Sequence, residues 1–374
     1  MQPQTPLIVR LTATLLFIIL FFYGLIAAKD ILVPLALGTL LAFLLYPIAS
    51  FFERSGIPRI LANLLTIILG IVIVGGAVYL IYIQLSQFVG DFPELREKSL
   101  DNLRGLTLFV EANFGVSTEE QQRWLRGFLS EAFTQGGETF QRIFTATTTT
   151  VIKIGLLPVF VFFLLYYRNK YKDFILKLTD KGKHEKTDKV IKEISHVTQR
   201  YMSGITIVVF ILCFLNTFGL MIVGLKYALL LGILSALMNY IPNFGTLIGG
   251  AIPLTVALIT ENSPRYALGV IILFMIIQFT ENNILTPNIV GGNVKINPFF
   301  VILSIIVGGL IWGLAGMFIV LPFIAMFKIV CENIEALHPY AFLLGTEGTE
   351  KHSLTWNKIK IFFKNIFNRN KRQV

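Results

Sequence analysis

Apolar residues fall in runs long enough to cross a bilayer, and short polar breaks punctuate them. The first run covers residues 11–28, and Lys29 with Asp30 separates it from a second, 31–52. Pro34 sits in the first turn of the second run, where a proline is tolerated. A loop with Arg54 and Arg59 leads to a third run, 60–89, rich in Ile, Val and Gly. Residues 90–142 are polar, with nine Asp/Glu against six Lys/Arg. Phe88, Phe92, Leu95, Leu103, Leu106 and Val110 recur there at near-helical spacing and predict a surface helix. Trp124, Phe128 and Leu129 predict a second. A threonine run at Thr145 and Thr147–Thr150 leads into a fourth span, 151–167. Residues 168–200 carry ten Lys/Arg against five Asp/Glu, and a fifth span covers 205–223. A broken apolar segment occupies 227–260, a polar turn 261–265 and another apolar element 266–285. The polar linker 286–298 precedes a long apolar stretch, 299–330, interrupted at Trp312-Gly313-Leu314-Ala315-Gly316.

The segment 227–260 breaks at Asn239-Tyr240-Ile241-Pro242-Asn243-Phe244-Gly245. At about 1.5 Å per residue each flank is a helix of only about 20–24 Å, against a hydrocarbon core of about 30 Å. Two short helices around a Pro/Asn/Gly break predict a re-entrant hairpin. Lipid cannot satisfy the freed backbone groups, so the break must lie inside protein or line a wet cavity. Each break follows a single span, which predicts two span-plus-hairpin units, the second inverted relative to the first. Ile233-Leu234-Ser235 with Pro253 recurs 69 residues later as Ile302-Leu303-Ser304 with Pro322. Chance recurrence of common residues is the alternative. In an inverted arrangement the two breaks would meet near one site.

Composition agrees with a membrane protein. The chain of 374 residues is 55% hydrophobic and 14% charged, with a mean hydropathy of +0.71. An average soluble domain is about 25% charged. The net charge of +10 sits in loops and tail, where the positive-inside rule and anionic lipid place it, so nucleic acid is not the expected partner. Arg10, the Arg54/Arg59 loop, residues 168–200 and the tail can all face the cytoplasm, with the acidic insertion outside. No A-x-A-like cleavage site follows the first span, which is expected to be retained. The tail places Trp356, Ile359, Phe363 and Ile366 on one helical face amid Lys and Arg, which predicts an interfacial helix on anionic lipid.

Three groups of residues could carry chemistry. Glu281 follows some fifteen apolar residues, a depth at which a carboxylate needs a partner, water or a proton. With Gln278 and Asn282 beside it, it is a candidate proton or cation site, the alternative being a solvated helix end. Asn239, Pro242, Asn243 and Gly245 form the first break and could hold a neutral polar solute or a desolvated cation; a tight turn with capping asparagines is the alternative. Thr286-Pro287-Asn288, Gly291-Gly292 and Asn297-Pro298 form the third group, a hinge or a pore lining, with a plain cytoplasmic loop as the alternative; Pro287, Pro298 and Pro322 are candidate hinges. Gly308, Gly309, Gly313 and Gly316 point to close helix packing. Cys213 and Cys331 lie in apolar segments and allow no disulfide framework. There is no P-loop and no H-E-x-x-H, and none of the four histidines lies in a span. No catalytic residue, metal or cofactor is expected.

The stretches N-Y-I-P-N-F-G-T-L-I-G-G-A-I-P (239–253), Q-F-T-E-N-N-I-L-T-P-N-I-V-G (278–291) and N-P-F-F-V-I-L-S-I-I-V-G-G-L-I-W-G-L-A-G-M-F-I-V-L-P (297–322) resemble the autoinducer-2 exporter (AI-2E) family, the PerM-type permeases. The resemblance is dense over 201–332 and consistent in layout before it. It implies a bacterial inner-membrane protein of about eight membrane segments. Members are described as exporters of a small quorum-sensing furanone and some as sodium/proton antiporters. Pro242, Gly245, Glu281, Asn282, Pro287, Asn297, Pro298 and Pro322 match the family's pattern.

The expectation is therefore an all-α polytopic integral membrane protein of about eight membrane segments. Two of these are broken, re-entrant helical hairpins, and there is a small helical extracytoplasmic insertion. The division is three spans (1–89), insertion (90–147), fourth span (148–167), basic cytoplasmic segment (168–200), transport core (201–334) and basic amphipathic tail (335–374). Both termini are placed in the cytoplasm. The expected activity is secondary transport of a small polar solute or a monovalent cation, coupled to H⁺ or Na⁺, by a homo-oligomer. A passive oligomeric channel and a non-transporting membrane scaffold are the alternatives.

Overall fold

The structure, a computed structural model, describes residues 6–91, 155–241, 244–261, 263–291 and 296–347, and every regular element among them is helical. The insertion beyond residue 91, Pro242, Asn243 and the tail from 348 lie outside the described residues. Three helices open the chain: α1 (Leu7–Ala27), α2 (Lys29–Arg54) and α3 (Arg59–Gly90). Their ends fall where apolar runs give way to charge or to Gly and Pro. Gly56, at φ 92, turns the chain after α2, and Pro58 precedes α3. No residue of α1 is buried, as suits a helix whose apolar side chains meet lipid. Next come α4 (Gly155–Tyr166) and α5 (Arg168–Lys177). α4 runs along α2 in the same direction, Val161 and Leu165 packing with Ala42, Ala49 and Ile67.

α6 (His184–Val223) is one helix of 40 residues. At 1.5 Å per residue that is about 60 Å, twice a bilayer core. The boundary expected at 200/201 therefore falls inside a continuous helix. Its charged first half is held by ion pairs one turn apart, Lys189–Glu185 and Lys192–Asp188. Lys172 of α5 reaches the same Asp188. α6 stops at Gly224, in the left-handed region at φ 95; Gly224 N donates to Leu220 O and Met221 O, and Leu225 N to Leu220 O. Only glycine enters that conformation without strain.

α7 (Ala228–Met238) and α8 (Phe244–Thr260) fold back on each other as a helical hairpin. The arms touch backbone to backbone. A Cβ on Gly245 would lie 1.8 Å from Met238 O, and one on Gly249 2.7 Å from Ser235 O. Ser235 Oγ donates to Gly249 O at 2.5 Å. α9 (Pro264–Thr280) begins with Pro264 behind the capping Ser263. It passes through a single π-helical turn, Glu281–Leu285, into α10 (Thr286–Ile289). The wider turn accommodates Pro287, whose ring would meet the carbonyl four residues back in a straight α-helix.

α11 (Pro298–Asn333) is a second hairpin, since Gly313 adopts φ 64 and ψ −143 inside it. Gly308 and Gly316 press together, a Cβ on either falling 2.6 or 2.0 Å from the other's carbonyl oxygen. Along a straight helix they would stand about 12 Å apart. α12 (His338–Leu344) closes the base, where Asn297 N donates to Leu344 O at 2.8 Å.

Among the described residues, six helices, including α1, α2, α3 and α11, are long and apolar enough to cross a membrane by length and composition, alongside three shorter apolar helices. The fold is that of an all-α polytopic membrane protein. α9 descends against α6, Leu273 meeting Gly219 and Val290 meeting Gly204. The first hairpin starts beside Tyr227 and points towards Tyr201, Tyr240 reaching Thr206. The second points the opposite way, its Trp312 Nε1 donating to Leu25 O at 2.9 Å. At one end of the molecule Arg168 grips Glu53 with two bonds, 2.9 and 2.5 Å. At the other, Asp91 Oδ2 accepts from Lys226 Nζ and Tyr227 OH, both at 2.7 Å. The Asp91 carboxylate holds the Lys226 ammonium above its usual range.

Candidate functional site

A cavity of about 530 Å³ opens where the first hairpin's tip, α6, the end of α9 and the base of the second hairpin converge. Ligand sites typically enclose about 300–1,000 Å³. The α9 side supplies Gln278, Glu281, Asn282 and Thr286. Their spacing of three, four and eight residues sets all four on one helical face. The hairpin tip supplies Asn239 and Thr246, and α6 supplies Arg200, Tyr201 and Ile205. Val301, Leu321 and Ala325 of α11 form an apolar wall.

The centre of the site is a buried pair. Asn239 Nδ2 donates to Glu281 Oε2 at 3.0 Å, with Asn239 7% and Glu281 8% exposed. No ion pair to Glu281 forms among the described residues. A carboxylate taken from water and given only one neutral donor stays coordinatively open; it can accept a proton, a cation or a solute's hydrogen-bond donor. Asn239 is positioned because α7 cannot continue through Pro242, and its last turn folds towards α9. Ile241 anchors this tip in a cluster with Ile305 and Leu321, and the Tyr240 ring packs edge-on against Phe318 at 5.3 Å. Arg200 marks the other end of the cavity. A Cβ on Gly291, itself at φ 74, would lie 3.4 Å from Arg200 Nη2.

The structure gathers Asn239, Gln278, Glu281 and Asn282 into one cavity, and it reassigns other expected site residues. Gly245 lies against Met238 within the hairpin; its role is the close approach of two backbones rather than contact with the cavity. Asn297 caps α11, its Oδ1 accepting from Phe299 N at 3.0 Å. Among the described residues the two breaks do not meet. The first tip packs on residues 305 and 318–321 of the second hairpin, whereas Trp312 and Gly313 lie beyond them towards α1. Of the candidate hinges, Pro298 opens α11, Pro322 is buried in its second arm, and Pro287 is exposed within α10. Pro242 and Asn243 lie outside the described residues. Arg200, Tyr201 and Thr246 are not among the expected site residues, and Thr286 is expected only as part of the polar linker. The last was legible from its helical spacing to Gln278 and Asn282. Arg200 was hidden at the end of a basic run that reads as solvated surface. No group of three or more His, Cys, Asp or Glu that could hold a metal ion occurs among the described residues.

Long apolar helices, paired helical hairpins and a cavity between them that holds a buried carboxylate define an integral membrane protein of the transport class. The profile of the AI-2E family transporters matches residues 15–336, and the chain belongs to that family. It is 28% identical to the "Putative transport protein YrrI" of Bacillus subtilis (strain 168), over 81% of this chain and 86% of that protein. It is 24% identical to the "Putative transport protein YhhT" of Escherichia coli (strain K12), over 88% and 92% of the two chains. The "AI-2 transport protein TqsA" of Escherichia coli (strain K12) is 24% identical over 89% of this chain and 94% of that one.

Proposed function

We propose that this membrane transport protein is a secondary transporter that moves a small polar solute, of the size of an autoinducer-2-like furanone, or a monovalent cation through the cavity at Asn239 and Glu281. Glu281 is the coupling group for H⁺ or Na⁺. Gln278, Asn282 and Asn239 supply the donors and acceptors that replace the cargo's water. The observation that carries this reading is the Glu281 carboxylate, buried at the wall of the cavity and bonded to the neutral amide of Asn239. Alternating access would come from movement of residues 201–334 against the first four spans. The reading places the protein in a bacterial inner membrane with its basic face in the cytoplasm.

The experiment is flux into proteoliposomes of the purified protein across a panel of small polar solutes and cations, with and without pH and Na⁺ gradients. The wild type is expected to accumulate its cargo against a gradient when the coupling ion is supplied. Glu281→Gln should remove that accumulation and leave at most downhill exchange. Equal, gradient-independent flux in both proteins would instead mark a passive channel. No flux of any panel member would favour a scaffold.

A further inference from the structure

Away from the cavity, a groove of about 510 Å³ lies where α3 begins and α4 ends, lined by Pro58, Arg59, Ile60, Tyr166, Tyr167 and Lys170 among others. Its charge is unbalanced. The Glu53 carboxylate is taken by Arg168 through two bonds and stands 3.7 Å from Arg59 Nε. Arg59 and Arg168 therefore share one carboxylate, and Lys170 forms no ion pair among the described residues. Arg59 is oriented by Nη1 donating to Tyr166 O at 3.4 Å, while its Nη2 has no partner among the described residues. The Lys170 ammonium sits 5.5 Å from the centre of the Tyr167 ring.

The surroundings of the groove say what anion belongs there. Ile60, Leu64 and Ile68 form an exposed stripe along α3 at four-residue spacing, and Val159 and Phe163 of α4 form one that continues to Tyr167 just beyond its end. In a membrane protein such stripes face acyl chains, and both run into the groove. Tyrosines at that level are typical of the water–lipid boundary. A cationic notch at the foot of two lipid-facing lanes matches a molecule with a phosphate at one end and hydrocarbon at the other.

We propose that this groove is a headgroup site for an anionic phospholipid. Arg59 and Lys170 hold the phosphodiester, and the acyl chains lie along the α3 and α4 stripes. Free phosphate shares the headgroup chemistry but cannot use the stripes.

The test is native mass spectrometry of the full chain released from detergent, titrated with phosphatidylglycerol, phosphatidylcholine or inorganic phosphate. The wild type should hold phosphatidylglycerol tightly and phosphatidylcholine weakly. A cation near the headgroup plane is worth about 1 kcal/mol, so Arg59→Gln and Lys170→Gln should each weaken phosphatidylglycerol about fivefold. Lys170 makes no bond that the fold needs, so its variant separates lipid loss from misfolding. Lys181→Gln, equally cationic but outside the groove, should retain wild-type affinity. An equal loss there would reduce the effect to general surface charge and overturn the site. So would unchanged lipid retention in the Arg59/Lys170 double variant, or millimolar phosphate competing as well as the lipid.

Discussion

The bond between Asn239 and Glu281 ties the tip of the first hairpin to α9, and its strength is open to measurement. The amide and carboxylate are 3.0 Å apart, and both residues are more than nine-tenths buried. Breaking a fully buried ion pair by deleting one partner costs about 3–5 kcal/mol. Here the donor is neutral and the carboxylate borders a cavity from which water can replace it, so the lower range for an unmade hydrogen bond applies, about 1–2 kcal/mol. Asn239→Ala should therefore destabilise by about that amount. Glu281→Gln keeps an acceptor oxygen in place and should cost under about 0.5 kcal/mol, although the proposed function expects it to abolish coupled flux. A double-mutant cycle of Asn239→Ala with Glu281→Ala should return a coupling of about 1–2 kcal/mol. The assay is equilibrium unfolding in mixed micelles, followed by far-ultraviolet circular dichroism. Additive single variants, with a coupling below about 0.3 kcal/mol, would refute the docking of the hairpin tip on α9.

Glycine substitutions should divide by position in the same assay. Gly308→Ala or Gly316→Ala puts a methyl group within 2.6 or 2.0 Å of a backbone oxygen and should cost about 2–3 kcal/mol, the upper range for overpacking. Gly75→Ala, with nothing within 4 Å, should be neutral or stabilising by up to about 1 kcal/mol; equal effects at both places would contradict the close-packed second hairpin. The cavity should also be wet. In a Cys213→Ala, Cys331→Ala background, Asn282→Cys should react with a hydrophilic maleimide, whereas Leu310→Cys, 79% exposed on the second hairpin, should not, because its surroundings are lipid. Similar labelling rates at the two positions would mean that the cavity does not admit water.

The apolar helices, the basic face and both breaks follow from local chemistry. A run of Leu, Ile, Val and Phe must be helical in lipid to satisfy its own backbone, whatever it packs against. Glu281, Asn282 and Gln278 stand out for the same reason, as polar residues that an apolar run does not tolerate without cause. Asn297 shows the limit of this reasoning. Its composition and place suggest a ligand, yet a helix N-terminus two residues away takes its side chain as a cap. Gly245 has the same ambiguity, because a glycine that admits a ligand and one that admits another backbone look alike in one dimension.

What residue order determined by itself was therefore the class of protein, the number of interruptions in its spans and the polar residues at risk of lying in lipid. Only the tertiary structure decided which of these share a cavity. Arg200 and Glu281 stand eighty-one positions apart and line one space because α6 and α9 run antiparallel with the first hairpin's tip wedged between them. Hydropathy is a property of each residue and its few neighbours along the chain. The meeting of two hairpins depends on the packing of surfaces far apart in sequence, and the same hydropathy pattern is compatible with many such packings.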